Sequence, residues 1–227
     1  MSYPKNPDTI ILKNKFYSKG LREIDIWNYY QKNKTQILKE TRNRELMFAI
    51  MVDKNKPILK RKEKLKFIKL TPQNYDTLIT GRTITIYSTM GFYEDFGIID
   101  IDTNIWSQAK IATKDVYEYI IDHIGFINSA KIRFTGKTGF HIICKFNRKN
   151  KIDAIRFLLK HELQRSDLSK KYTIESKRQK GIVNLDLSPN KLRGAYITNG
   201  SLSLLGLKCM EINFNDILSF EPNRSRI

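Results

Sequence analysis

The segment Phe96-Gly-Ile-Ile-Asp100-Ile-Asp102 constrains this chain more than any other. Mostly apolar residues lead into two aspartates one isoleucine apart, which reads as a strand ending in acid. Strand side chains at i and i+2 share a face, so Asp100 and Asp102 point the same way. Two carboxylates on one face repel each other unless a cation lies between them. Hard oxygen donors of this kind suit Mg²⁺ or Mn²⁺. The plain alternative is a strand end with two solvated aspartates, and the pattern by itself leaves both open.

Charge narrows the partners. The 41 Lys+Arg against 23 Asp+Glu give a net charge of +18 over 227 residues. Such a surplus favours a polyanion, because neutralising phosphates releases condensed counterions. Nucleic acid is the first expectation and an anionic membrane surface the second. No apolar run approaches the roughly 18 residues of a membrane span. The opening Met-Ser-Tyr-Pro-Lys also lacks a signal sequence's apolar stretch. The expectation is a soluble, cytoplasmic, nucleoid-associated protein with no membrane partner. Hydrophobic residues, at 41%, are enough for an ordinary core. Cys144 and Cys209 are too few for a four-cysteine zinc site or a disulfide framework, so they read as buried thiols and no zinc is expected.

Along the chain, the residues up to Gly20 read as an irregular arm. Apolar residues at Leu21, Ile24, Ile26, Trp27, Tyr30, Ile37 and Leu38 predict a helix from Leu21 to about Glu40. Glu45–Val52 reads as a buried strand. Lys54–Lys69, broken by Pro57, reads as a basic hairpin, either solvated or tracking phosphates. Thr71-Pro72 predicts a short helix with proline in its first position, and alternating Arg82–Thr89 a strand. After the aspartate strand come a helix over about Thr113–Gly125, strands Lys131–Thr135 and Phe140–Phe146, and an amphipathic helix Ile152–Leu163. Tyr172–Ser176 and Ile182–Leu187 read as strands, Lys191–Leu207 as strand and loop, and Asn213–Phe220 as a short helix. From Phe96 the order strand–helix–strand–strand–helix–strand predicts a split βαβ, ferredoxin-like or RRM-like sheet. The expected fold class is α+β and bilobal: one domain over residues 1–227, with an N-terminal α/β lobe (about 1–95) packed on an RRM-like lobe (about 96–220).

Two further stretches carry chemistry. Phe134-Thr135-Gly136-Lys137-Thr138-Gly139-Phe140-His141 contains Gly-Lys-Thr, but a P-loop needs a glycine where Lys131 stands. What remains is a strand–turn–strand whose glycines let backbone N–H groups approach anionic oxygens. Lys137 adds a point charge, and His141 either donates to a phosphate or serves structurally. His123 and His161, on predicted helices, read as background. Val183-Asn184-Leu185-Asp186 ends an apolar strand on an aspartate suited to closing a metal site, or to a plain Asp-Leu-Ser-Pro turn. Lys191 and Arg193 follow closely enough to neutralise a triphosphate.

These stretches, in this order, resemble the archaeo-eukaryotic primase superfamily, whose members carry hhhDhD, SGxxGxH-like and hD motifs. The matching residues are Ile98–Asp102, Thr135–His141 (with Thr135 where the family often has serine) and Val183–Asp186. Tyr29-Tyr30 and Arg44-Glu45-Leu-Met-Phe48 look like a helix and a strand of relatives, and Leu192-Arg193 and Gly200-Ser201-Leu202 are similar to segments of small primase subunits. The resemblance implies a primase-like bilobal core and a DNA primase/polymerase activity, template-directed transfer from an NTP or dNTP to a 3′-hydroxyl. It implies Asp100, Asp102 and Asp186 as catalytic ligands of two divalent ions, Mg²⁺ or Mn²⁺. One ion would lower the pKa of the primer hydroxyl and the other hold the triphosphate. Thr135, Lys137, His141, Lys191 and Arg193 would bind that triphosphate. Expected partners are DNA template and primer, single-stranded nucleic acid, and further domains or subunits of a longer protein. The chain departs from the family in lacking a zinc knuckle, and in having Ser203-Leu204-Leu205 where small subunits carry His and Lys.

Two competing readings remain. A non-catalytic single-stranded nucleic-acid-binding module would use the basic hairpin with Phe92, Tyr93 and Phe140 as stacking platforms. A metal-dependent glycosyltransferase also uses a DxD pair, but the basic excess argues against it.

Overall fold

The computed structural model describes residues 9–10, 20–53, 56–63, 65–137, 139–176 and 181–227. Lys54 and Lys64 of the basic stretch, Thr138 of the glycine turn and most of the arm before Gly20 lie outside the described residues.

The chain opens with strands β1 (Thr9–Ile10) and β2 (Leu21–Arg22), then helices α1 (Glu23–Lys32) and α2 (Lys34–Glu40). Strands β3 (Leu46–Asp53), β4 (Lys56–Lys60), β5 (Lys62–Glu63) and β6 (Lys66–Phe67) follow, then helix α3 (Tyr75–Leu78) and β7 (Thr83–Thr89). Next come β8 (Tyr93–Asp102), α4 (Trp106–His123), β9 (Ile127–Phe134), β10 (Phe140–Lys151), α5 (Ile152–Arg165) and α6 (Leu168–Lys171). The short strands β11 (Thr173–Ile174), β12 (Asn184–Asp186), β13 (Ala195–Ile197) and β14 (Met210–Ile212) complete the set, with 3-10 turns at Phe214–Asp216 and Pro222–Ser225. These elements form two compact units. One holds the described residues up to Thr89 with Ala195–Cys209 and Pro222–Ile227; the other holds Met90–Gly194 with Met210–Glu221.

In the first unit the sheet order is β13-β7-β3-β4, all neighbours antiparallel. Its core gathers Ile26, Tyr30, Ile37, Phe48, Ile84 and Ile86, all fully buried. The single helix expected over Leu21–Glu40 is two. Asn33 breaks it, its side-chain amide donating to the Tyr29 carbonyl at 2.8 Å while its own backbone leaves helical geometry. The helix expected to start at Pro72 starts at Tyr75 instead, because Thr71 and Asn74 close a turn on each other first. Tyr30 is the polar pin of this core. Its hydroxyl donates to the Ile84 carbonyl at 2.9 Å, lies 3.2 Å from Ser201 Oγ and accepts from the Leu202 N–H at 3.0 Å. Ser201 Oγ in turn accepts from the Ile86 N–H, and Tyr29 donates to the Gly200 carbonyl. The late Gly200-Ser201-Leu202 segment is thereby stitched to the early helix and sheet.

The second unit is a sheet ordered β11-β12-β8-β10-β9-β14 with α4 and α5 packed on it. Counted from β8 and leaving out the two-residue β11, the central order is fourth–first–third–second strand, the split βαβ arrangement expected from the element order. Gly97 marks the helix-covered face of β8, since a Cβ there would meet Ile155 and Leu159 of α5. Strand alternation then puts Ile99 and Ile101 on that face and Asp100 and Asp102 on the opposite one. On the helix side Trp106 stacks on Phe140 at 5.2 Å and meets Phe134 edge-on at 5.8 Å, with Phe220 closing the group. Phe140 is therefore core and not a stacking platform, whereas Phe92 and Tyr93 are exposed. Helix α4 begins well before the expected Thr113. Ile105, its N-cap, makes no side-chain cap bond, so no start signal exists there, and the Thr113 hydroxyl donates back to Ala109 inside the helix. Strand β10 runs past Phe146 to Lys151 through a register shift, and the expected Asn213–Phe220 helix shrinks to one 3-10 turn. Among the described residues no helix is long and apolar enough to cross a membrane.

Removing the Tyr30 hydroxyl (Tyr30→Phe) takes the side-chain partner from the buried Ile84 carbonyl and Leu202 N–H, and should cost about 1–3 kcal/mol in urea unfolding. Ser201→Ala should couple to it in a double-mutant cycle. A second outcome concerns pH. Burial pushes the Cys144 thiol from 9.0 up to about 12, so the unfolded chain loses that proton first. Its contribution is intact below pH 9 and declines as pH rises toward 12, by up to about 1.4 kcal/mol per unit. Urea midpoints at pH 8 and pH 10.5 should differ accordingly, and less so in Cys144→Ala.

Candidate active site

Register across the second sheet builds the site. On β8, Asp100 stands opposite Asp186 of β12 on one side and His141 of β10 on the other, while Asp102 stands opposite Asn184. The row continues through Arg133 of β9 to Glu211 of β14. Opposed residues share a face, with Cβ atoms about 4.5–5.5 Å apart. Asp186, Asp100, His141, Arg133 and Glu211 thus lie side by side, and Asp102 joins them from two positions along β8.

Along the row two carboxylates are followed by the His141 ring, a guanidinium and a third carboxylate. Buried His141 has Nε2 3.6 Å from Oδ1 of Asp100, beyond hydrogen-bond range. Burial, reinforced by the Arg133 guanidinium, lowers its pKa to about 3, so the ring is neutral and the contact is not an ion pair. His141 Nδ1 is buried without a hydrogen-bond partner. Arg133 leans the other way, to Glu211 at 3.5 Å, a carboxylate it shares with Lys131 at 3.2 Å.

The carboxylates fit a hard divalent ion in donor type and in register. They do not form a finished ligand set: among the described residues no three His, Cys, Asp or Glu groups are placed to hold a metal. One physical reason lies at Asp186. Ser188 donates its backbone N–H to one oxygen at 2.8 Å and its hydroxyl to the other at 2.7 Å, turning that carboxylate into a local turn.

The phosphate-binding candidates are placed less uniformly. Thr135 closes the glycine turn on itself, its hydroxyl and its N–H both donating to the Gly139 carbonyl at 3.0 and 3.1 Å. The turn abuts β8, since a Cβ on Gly139 would stand 2.5 Å from the Ile101 carbonyl oxygen. Lys137 is exposed on the turn. Lys191 and Arg193 are also exposed, on a loop that leaves β12 and is tied to β8 and Met90. Asn190, a residue that sequence reading passed over, makes that tie. Fully buried, it accepts from the Ile98 N–H at 2.7 Å and donates to the Ile98 carbonyl at 2.6 Å, imitating a strand partner where β12 has ended. The Arg193 N–H donates to the Met90 carbonyl, and Gly194 closes the loop where a Cβ would stand 2.0 Å from the Pro189 oxygen. Nothing in the residue types around Asn190 signals this role.

The site therefore sits on the non-helical face of a split βαβ sheet in an α+β chain. No protein-family model matches the sequence, and no curated protein matches it either. Among solved structures, the chain is similar in fold to the polymerase domain of Mycobacterium tuberculosis ligase D in complex with DNA, with a TM-score of 0.68 and 14% identity over 86% of this chain and 82% of that one.

Asn190→Leu should leave both Ile98 backbone groups buried and unpaired, lowering stability by about 2 kcal/mol or more. Amide exchange at Ile98 should accelerate far more than at Ile142, which lies within the intact β10 ladder.

Proposed function

We propose that the chain is a DNA primase/polymerase of the archaeo-eukaryotic primase type, acting inside the cell. It would extend a 3′-hydroxyl on a DNA template from NTPs or dNTPs. The observation that carries this reading is the register that sets Asp186 and His141 on either side of Asp100, with Asp102 on the same face. The fold likeness to a polymerase domain seen with DNA and the +18 charge support it.

Asp100, Asp102 and Asp186 would hold two ions, Mg²⁺ or Mn²⁺, which when bound neutralise the triphosphate and acidify the attacking hydroxyl. Asp186 must release or share its bonds to Ser188 to do so. His141, neutral and buried against Asp100, limits that carboxylate's freedom from the far side and lies at the start of β10, just after the glycine turn. Lys137, Thr135, Lys191 and Arg193 would bind the triphosphate, Lys137 as a mobile point charge and Arg193 as a fork. Without a cation the carboxylates alone would repel that substrate, so the acidic and basic groups function only as a set.

The second reading, a non-catalytic nucleic-acid module, is favoured by one observation: Asp186 is already satisfied within its own turn. One experiment separates the two. Primed single-stranded template is incubated with labelled NTPs or dNTPs and Mg²⁺ or Mn²⁺, and products are sized on a gel. Extension should appear, stop with EDTA, and fall by about 10²-fold or more in Asp100→Asn, Asp102→Asn and Asp186→Asn. Wild-type rates in those variants would refute the proposal. DNA binding indifferent to EDTA, with no incorporation under either metal, would establish the second reading.

A further inference from the structure

We propose that the lysine-rich hairpin of the first unit, from β4 through β6, is a nucleic-acid contact whose tip residue Leu65 wedges against a base step while flanking lysines follow the phosphates. The inference rests on the nucleic-acid partner of the proposed function and not on its catalysis.

Among the described residues, strand β4 ends its sheet and pairs with β3 alone. Adjacent strand residues face opposite ways, yet Ile58 is 51% and Leu59 60% exposed, so both faces of β4 are bare. Beyond β4, the Ile68 N–H closes the β5–β6 pair on the Arg61 carbonyl at 3.1 Å, and the Leu46 N–H ties it to β3 through the Ile68 carbonyl at 2.8 Å. Leu65 lies in the turn between β5 and β6, 89% exposed and with φ of 66°. A left-handed backbone disfavours leucine and suits glycine or asparagine, so this side chain serves neither core nor turn. A large aliphatic group so exposed at the turn is available to touch something outside the fold.

The surroundings of Leu65 select the partner. Arg61, Lys62, Lys66 and Lys69 are exposed and Lys60 half-exposed, and the nearby carboxylate, Glu63, is paired with Lys60. Lys62 lies over the Phe67 ring at 5.0 Å, which holds its ammonium in place on the hairpin. Cations spaced along a ribbon complement a chain of phosphates. An aliphatic tip among them matches the apolar wedges that proteins insert between stacked bases.

The test uses the full chain and a primer–template DNA with 2-aminopurine placed in turn at each template base across the junction. Wild-type protein should raise the fluorescence at one or more positions. Leu65→Asn, which keeps the left-handed turn, should abolish most of that rise with Kd within about threefold. Lys62→Gln/Lys66→Gln/Lys69→Gln should weaken binding at least tenfold at low salt and flatten the log K against log salt slope by about 2. Unchanged affinity and slope in the triple variant, or an unchanged signal in Leu65→Asn, would overturn the proposal. So would loss of binding to phosphatidylserine vesicles in these variants while DNA affinity stays intact. If wild-type protein fails to extend primers but shows the hairpin-dependent signal, the contact stands and the catalytic reading falls.

Discussion

The period-two alternation of strand β8, locked between two neighbours, is the constraint on which the rest of the second unit depends. Ile99 and Ile101 must enter the core beneath α4 and α5, and once they do, Asp100 and Asp102 have no choice of face. A slip of one residue would bury two carboxylates and expose the isoleucines, at a cost no local bond could offset. The hydrophobic core therefore fixes the acidic site. The flanking strands obey the same rule, because Leu185 and Ile142 are fully buried where Asp186 and His141 are their sequence neighbours.

Charge along the row is handled by neutrality and by short-range partners. His141 stays uncharged through burial, so Asp100 has beside it a polar ring and not a competing cation. Arg133 spends its charge on Glu211 at the far end. Asp186 is held by Ser188, which fixes the carboxylate but turns it toward its own backbone. The arrangement is thus organised at the level of the backbone, by the register that sets these residues side by side.

Much of the second unit was legible in the sequence because its signals are local. The two aspartates, the Gly136 turn and the apolar lead into Asp186 each declare their strand within a few residues. The split βαβ order followed from counting them. Phe140 was misread as a surface platform because an aromatic at a strand start does not reveal which face it joins; only its packing on Trp106 does. The first turns of α4 were missed because Ile105 offers no cap. Asn190, the return of β13 to β7, and the tie between Tyr30 and Ser201 are contacts between residues far apart in the chain. No window of sequence contains both partners, so no periodicity could show them.

The strand order has a temporal corollary. β8, β10 and β12 are neighbours in space but emerge from the ribosome in turn, with three helices made between the first and the last. A nascent chain that has reached β10 already carries the aspartate pair and the histidine, yet lacks its third acid. Assembly of the acidic triad must wait for pairings remote in sequence, which are slow to close. Any metal-binding competence of this protein therefore arises late in its own synthesis, and a chain cut short before Asn184 would leave β8 with a naked edge open to other strands.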